Sequence, residues 1–370
     1  MRIAYDSQAF TMQPYGGVSR YCLRLAQSIQ AQGETVGIFA PFHRNRYLRQ
    51  APNDLVQGRY LRAYPPKTTE LVGVLNLAIA RHRMHRWRPD LIHETYYAPD
   101  WGVQGAAARV ITVHDMVHEL FPNSFSNARR MTQLKRAAVN LADHVICISG
   151  NTRNDLVKLF SVNPDRVSVV PLGLDQVSGA EEGAAAIPFE LPAPYLLFVG
   201  NRGGYKNFAQ LLRAVTHAPA LRQDFRVIAF GGGGFDRTEM VLMDELGLDR
   251  HRVLHRQGDD NLLGQLYRRA TALVYPSLYE GFGLPPLEAM AHGCPVISSD
   301  RSSMPEVIGE AGEFFDPTSV ESMARAIERV VYSPSYAQEL RDRGQHRLEK
   351  FTWERCAAQT LEIYRSLVGD

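Results

Sequence analysis

From one end to the other, the chain alternates short runs of branched and aromatic residues with stretches of helical periodicity, and the alternation halts once and restarts. Few folds accept that pattern. A strand, a helix and a further strand give a parallel pair, because a parallel return needs a crossover of a dozen residues or more. In the first half the strand candidates are "RIAYD" (2–6), "TVGIFA" (35–40), "LIHE" (91–94), "RVITVHD" (109–115), "HVICIS" (144–149) and "VSVVPLG" (167–173). Residues 18–32 set Val18, Tyr21, Cys22, Leu25 and Ile29 along one helical stripe. The interruption, "GAEEGAAAIPFELPAP" (179–194), is small, acidic, proline-rich and aperiodic, as a linker is. The pattern then resumes with "YLLFVG" (195–200), "FRVIAFG" (225–231), "RVLHRQ" (252–257), "ALVYPS" (272–277) and "PVISS" (295–299), with helices expected over 207–218, 237–246, 261–270 and 286–292. A chain of 370 residues also exceeds one ordinary core. The expectation is α/β: two doubly wound parallel-sheet domains facing across a cleft, spanning 1–175 and 193–352 with a linker over 176–192.

Composition removes several function classes. The apolar runs are strand-length, well short of a membrane span. The opening "MRIAYDSQAF" carries Asp6 within a strand-like start and does not read as a signal peptide. Cys22, Cys147, Cys294 and Cys356 lie far apart with no CxxC, so a reduced, cytoplasmic protein is expected. The net charge of +2 conceals an asymmetry: residues 1–172 hold 21 basic and 12 acidic side chains, and the remainder 20 and 27. Basic residues cluster in "FHRNRYLR" (42–49), "RHRMHRWR" (81–88) and "RRMTQLKR" (129–136). Such clusters suit an anionic partner or solvated helix faces. Arginine mixed with Met84 and Trp87 fits a helix resting on anionic lipid. No nucleic-acid motif accompanies them, and no nucleic acid is expected as a partner.

In open parallel sheets, ligands bind beyond the carboxyl ends of the strands. After the first strand comes "YGGVSRY" (15–21), where Gly16 and Gly17 permit close backbone approach and a helix start offers N–H groups. After "VITV" come His114 and Asp115. After "YLLFVG" comes "NRGGYKN" (201–207), a glycine turn carrying Arg202 and Lys206. After "VIAF" come four glycines, "GGGGF" (231–235). After "ALVYPS" comes "YEGFGLPPLE" (279–288), which sets Glu280 and Glu288 either side of a glycine turn. Cations and backbone N–H groups suit a diphosphate, and carboxylates suit sugar hydroxyls. A nucleotide-diphosphate sugar has both. The rivals are weaker: "HDMVHE" (114–119) approaches a zinc pattern, but His114 closes a strand instead of sharing a helix face with His118. The four glycines also lack the spacing of a dinucleotide turn.

The order of these motifs resembles the retaining glycosyltransferases of family 4, which have the GT-B fold. The likeness rests on "GGVSRY", "TVHD", "ICIS-GNT", "VVPLG", "FVGNRGGYKN", "YPSLYEGFGLPPLEAMAHGCPVISSD", "SSMPEVIGEAGEFFDP" and "FTWERCA", and spans nearly the whole chain. Glu280 to Glu288 matches the family's E-x7-E. The resemblance implies that Glu280 meets the donor sugar, with the backbone of Phe282, Gly283 and Leu284 around sugar and phosphates, and that Glu288 holds the ribose. It implies Lys206 and Arg202 at the diphosphate, His114 at the sugar near the reacting centre, and Gly17 beneath a loop closing on the phosphates. Asp115 then orients His114 or caps a turn. In many relatives the arginine directly follows the glycine; here Asn201 stands there and Arg202 one place later.

The resemblance further implies that the amphipathic segment 353–370 crosses back onto the first, acceptor-side domain, leaving 193–352 to hold the donor. The implied reaction moves a hexose with retention onto a hydroxyl, with no side-chain nucleophile. No DxD-type motif is present, so metal independence and the absence of any cofactor are expected. "YGGVSRY", "GGYKN" and "YEGFGLPPLEAM" resemble bacterial mannosyl- and rhamnosyltransferases of surface-polysaccharide assembly, which implies GDP-mannose or a GDP-deoxyhexose as donor. The acceptor implied is a glycan or lipid-linked glycan, with the basic domain resting peripherally on the cytoplasmic face of the inner membrane. A nucleotide-sugar epimerase of similar fold and a non-catalytic nucleotide-sugar-binding protein are the alternative readings.

Overall fold

A computed structural model of the chain describes residues 1–52, 54–97, 107–175 and 194–369; the expected linker, 176–192, lies outside them. The chain forms two compact units, Met1–Gly173 with Phe351–Asp370, and Leu174–Lys350. The first unit carries β1 (Arg2–Tyr5), β2 (Thr35–Ile38), β3 (Leu91–Glu94), β4 (Ala108–Val113), β5 (His144–Cys147) and β6 (Val167–Val169) in the order β2-β1-β3-β4-β5-β6, all parallel. The second carries β7 (Tyr195–Val199), β8 (Arg226–Phe230), β9 (Val253–Arg256), β10 (Ala272–Tyr275), β11 (Val296–Ser299) and β12 (Gly312–Phe315) in the order β9-β8-β7-β10-β11-β12, again parallel. Strand order reverses at β1/β3 and at β7/β10, so each unit has one switch point where crossovers leave in opposite directions and open a crevice.

Several strands stop earlier than their apolar runs do. β4 ends at Val113 and leaves His114 and Asp115 beyond the sheet. "VSVVPLG" yields only β6, because Pro171 has no N–H to continue a ladder whose last bond runs from Val170 N–H to the Cys147 carbonyl at 2.9 Å. β12 is absent from the sequence expectations. It is an edge strand, pairing with β11 alone, and its Glu313 accepts from Tyr336 at 2.6 Å and pairs with Arg329 at 3.2 Å. A half-exposed four-residue edge has too few buried positions to give an apolar run.

Helix α1 (Gly17–Ala31) buries Tyr21, Cys22, Leu25 and Ile29 as its periodicity requires. Helix α2 (Thr69–Trp87) corrects the membrane expectation in its detail. Met84 is buried and does not offer itself to lipid, and Trp87 is half-buried, packed edge-on against Phe39 with ring centroids 5.4 Å apart. The exposed apolar residues of this helix are Leu71, Val74 and Leu75. No helix among the described residues is long and apolar enough to cross a membrane. Helix α3 (Val117–Leu120) follows β4, and α4 (Ala128–Leu141) packs on it.

The chain leaves the first unit at Gly173 and re-enters beside it. A Cβ on Gly173 would stand 2.6 Å from the Trp353 nitrogen. There α6 (Trp353–Val368) begins, its first turn capped by the Thr352 hydroxyl, which accepts from Arg355 N–H at 3.2 Å. Cys356, Ala357, Thr360, Leu361 and Tyr364 are its buried face, and Arg365 reaches Glu34 at 2.9 Å. In the second unit β7 and β8 are covered by Phe208, Leu211, Leu212 and Val215 of the helix Phe208–His217, with Phe198 and Phe208 rings 4.9 Å apart. All four cysteines are free and buried.

Candidate active site

At the switch point of the second unit two loops meet. Past β7 the chain turns through Gly200, at φ +127, into the short turn Gly204–Lys206. Past β10 it runs from Pro276 to Gly283. The Leu278 N–H bonds the Tyr205 carbonyl at 2.7 Å, and the Asn207 amide donates to the Pro276 and Pro317 carbonyls at 3.0 and 2.9 Å. These bonds bring Lys206 and Glu280 together: Nζ lies 2.6 Å from Oε1. The lysine also sits 5.3 Å from the Tyr205 ring centre and 5.7 Å from that of Tyr275. Tyr275 is fully buried, and burial together with the Glu280 carboxylate holds its phenol far above the usual range, so it remains a neutral donor.

The loop bearing Glu280 is fixed from below by the serine pair of "SSMPE". Ser302 Oγ accepts from Glu280 N–H at 3.2 Å. Ser303 Oγ lies 2.9 Å from both the Glu280 and the Phe282 carbonyls. Phe282 is buried, and Gly283, at φ +104, would drive a Cβ to 2.4 Å from Met304 Cε. Only glycine fits there. Gly283 caps α5 (Leu284–Ala291), whose first turn contains Pro285 and Pro286. Those prolines supply no N–H, which concentrates the helix-start donors on the backbone around Leu284. Glu288, one turn further along α5, accepts from the Tyr267 hydroxyl at 3.3 Å, and Tyr267 is buried against His292.

Arg202 reaches from the loop after β7 to the loop after β8. Its Nε bonds Glu239 at 2.7 Å, its Nη1 the Gly231 carbonyl at 3.0 Å, and its Nη2 the Gly233 and Gly234 carbonyls at 2.7 and 2.9 Å. The two Nη nitrogens brace the four-glycine turn, and Nε pairs with Glu239. The physical reason is local. Glycines leave a row of carbonyls with no side chains to cover them, and a guanidinium fork satisfies several at once. In this structure Arg202 is a staple of that turn, whereas Lys206 is the cation turned toward Glu280.

In the first unit the turn before α1 is held by Asn45, fully buried, whose amide donates to the Gln13 carbonyl at 2.8 Å and to Ser19 Oγ at 2.9 Å. A Cβ on Gly16 would lie 2.0 Å from Gln13 Oε1, while one on Gly17 would meet nothing within 4 Å. Nothing among the described residues therefore demands glycine at 17. His114 is partly buried against the edge of Tyr21, ring centroids 5.1 Å apart. Burial, reinforced by Lys135 and opposed by Asp115, brings its pKa down to about 4. It is a neutral imidazole near neutral pH. The Asp115 carboxylate accepts from Val117 N–H at 3.1 Å, bracing the start of α3.

Sequence reasoning missed what lies beneath His114. His93 on β3 touches the Tyr364 hydroxyl through Nδ1 and Thr112 Oγ1 at 2.9 Å through Nε2. Thr112 also meets the Tyr21 hydroxyl at 3.1 Å, and Tyr364 meets Tyr5 at 3.3 Å. One polar chain thus links β1, β3, β4, α1 and α6. The only signal in the sequence was a histidine and a threonine inside otherwise apolar strands.

The comparisons with known proteins follow this division. Residues 15–177 match the family described as "Glycosyltransferase Family 4", and residues 181–347 match "Glycosyl transferases group 1". The chain is 28% identical to the O-antigen chain mannosyltransferase B of Escherichia coli over 96% of its own length and 97% of that protein's. Its fold is similar to that of the sucrose-phosphate synthase of Thermosynechococcus elongatus, with a TM-score of 0.76, 23% identity, and 99% and 98% of the two chains covered. It is similar also to Anabaena HepE, a structure in complex with UDP-glucose, with a TM-score of 0.71, 19% identity, and 99% and 100% covered.

Proposed function

Since the chain belongs to the family 4 glycosyltransferases and has their GT-B fold, we propose that its reaction is the retaining, metal-independent transfer of mannose or a deoxyhexose from a GDP-sugar to a hydroxyl of a glycan or lipid-linked glycan. The observation that carries this reading is the Lys206–Glu280 pair, placed where the second sheet reverses and built from the loops after β7 and β10. A diphosphate entering there takes the ammonium from Glu280, and the freed carboxylate accepts hydroxyls of the sugar. Glu288 takes the ribose, and the backbone of Phe282, Gly283 and Leu284 closes on the phosphates. His114 presents a neutral imidazole to the sugar, and Gly16 and Gly17 let backbone N–H groups at the start of α1 approach the same phosphates.

Bond breaking places negative charge on the departing GDP. Lys206 and the loop amides are set before the reaction to meet that charge, which is where preorganised donors contribute most. Glu280 and Glu288 both belong to the donor-binding unit, so they do not act as the acid–base couple of a hydrolase. Mannose is favoured by the likeness to an O-antigen mannosyltransferase over nearly the full length of both chains.

The first unit is proposed to rest on anionic lipid. Leu71, Val74 and Leu75 are exposed near the start of α2, and Arg83, His85 and Arg86 are exposed toward its end, so one helix carries both apolar and basic surface. The test combines two assays. Transfer from GDP-mannose to a lipid-linked glycan, with the anomeric configuration of the product read by NMR and repeated with chelator, is expected to give retention and no loss of rate. Inverted product, or a rate abolished by chelator and restored by metal, overturns the mechanism. Donor turnover without acceptor would indicate an epimerase.

A further inference from the structure

We infer that Lys135, a lysine inside the first unit, is a positioning residue of the transfer reaction: from within the core it fixes the turn that presents His114. The inference rests on the family 4 reading of His114. Within "RRMTQLKR" the sequence suggests a solvated basic cluster, yet Lys135 is 1% exposed. Its ammonium donates to the Asp115 carbonyl at 2.8 Å and to Glu119 Oε2 at 2.8 Å, lies 3.8 Å from Asp115 Oδ1, and stands 5.5 Å from the centre of the Tyr97 ring.

Burying a lysine is costly unless its charge is paired and its protons are accepted. Here the acceptors all belong to one short segment. Asp115 follows His114 directly, and Glu119 lies on α3. Lys135 therefore ties the backbone next to His114 to the helix that follows it, from an independent element, α4. Tyr97 also reaches the His114 backbone, while Lys135 joins that turn to α3 from α4. Asp115 braces Val117 N–H, the His118 ring lies tilted against Phe125, Tyr21 meets His114 edge-on, and His93 and Tyr96 face the region from β3 and the loop beyond it. Glu119 Oε1 is buried and has no partner among the described residues, so the carboxylate depends on Lys135.

The electrostatic consequence has a definite sign. A buried cation beside an imidazole opposes a second positive charge, and Lys135 acts in that direction on His114. Removing it lets His114 protonate at higher pH.

The experiment compares wild type with K135R, which keeps the charge, and with the double variant K135M/E119Q, which removes both buried charges so that neither is stranded. Two readouts are taken: the titration of the His114 ring by NMR, assigned with H114Q, and the pH profile of kcat for sugar transfer. In K135M/E119Q the His114 midpoint and the acid limb of kcat are expected to move together to higher pH. The maximal kcat is expected to fall on the order of 10- to 100-fold, the loss a misplaced group causes, with KM for the sugar nucleotide retained. K135R is expected to keep the midpoint. A folded double variant whose His114 titrates as in wild type, with kcat intact, overturns the inference. If wild type itself transfers no sugar, it is the family reading of the site that fails, and the His114 titration still decides the role of Lys135.

Discussion

Lys206 Nζ and Glu280 Oε1 are 2.6 Å apart, each side chain about one-eighth exposed, at the point where the second sheet changes direction. Two groups assigned to different parts of one ligand thus neutralise each other. A partly buried cation and carboxylate are costly singly and tolerable as a pair. K206A and E280Q are therefore expected to differ. K206A removes the charge that faces the diphosphate and should lower kcat/KM on the order of 100-fold or more. E280Q keeps a hydrogen-bonding amide for the sugar, frees Lys206, and should hold free GDP at least as tightly as wild type while losing turnover. Equilibrium binding of GDP beside steady-state rates separates the two.

Two glycines make contrasting predictions. Gly283 adopts φ +104 and would press a Cβ to 2.4 Å from Met304 Cε, so G283A should destabilise the second unit by about 1–3 kcal/mol. Gly17 has open space where its Cβ would be. If Gly17 lies at the phosphates as proposed, G17A should melt with wild type yet bind the sugar nucleotide more weakly. Thermal melts with and without GDP-mannose report both effects.

Stability should fall on the acid side through the buried and half-buried histidines, His93 and His114 among them. His93 is fully buried and neutral, its pKa lowered to about 3 by burial, and His114 lies at about 4, against 6.5 for a free imidazole. The unfolded chain binds these protons first, so stability is complete above pH 6.5 and declines as pH falls toward 4 and then 3. Asp6, whose carboxyl is raised by burial, acts in the opposite sense at the lower end. Denaturant midpoints from pH 8 to pH 4 should drop in wild type and drop less steeply in H93Q.

The polar chain under His114 has its own signature. Y364F deletes a hydroxyl that meets both His93 and Tyr5. Leaving those buried groups short of a partner should cost about 1–3 kcal/mol. Because Tyr364 lies on α6, the loss should appear as earlier exchange of the amides of that helix, measured by hydrogen–deuterium exchange.

Strand positions were legible because parallel strands buried on both faces must be continuous apolar runs, as "YLLFVG" and "FRVIAFG" are. The residues just past those runs were legible for the same reason, and Lys206, Glu280 and His114 stand there. What the sequence concealed depends on partners distant along the chain. Lys135 reads as one more basic residue of a surface cluster until α4 is docked on α3. Nothing in the sequence around Arg202 tells that its guanidinium meets the carbonyls of the four-glycine turn. Met84 reads as a lipid contact until it is packed in a cluster with Phe39. The edge strand Gly312–Phe315 is too short and too exposed to announce itself.

Whether the loops after β7 and β10 grip a nucleotide sugar is decided by isothermal titration of GDP-mannose into wild type, K206A and E288A. One site per chain is expected in wild type, with affinity reduced about tenfold or more, a loss of at least about 1.4 kcal/mol, in each variant. Binding of equal strength in all three proteins would contradict it.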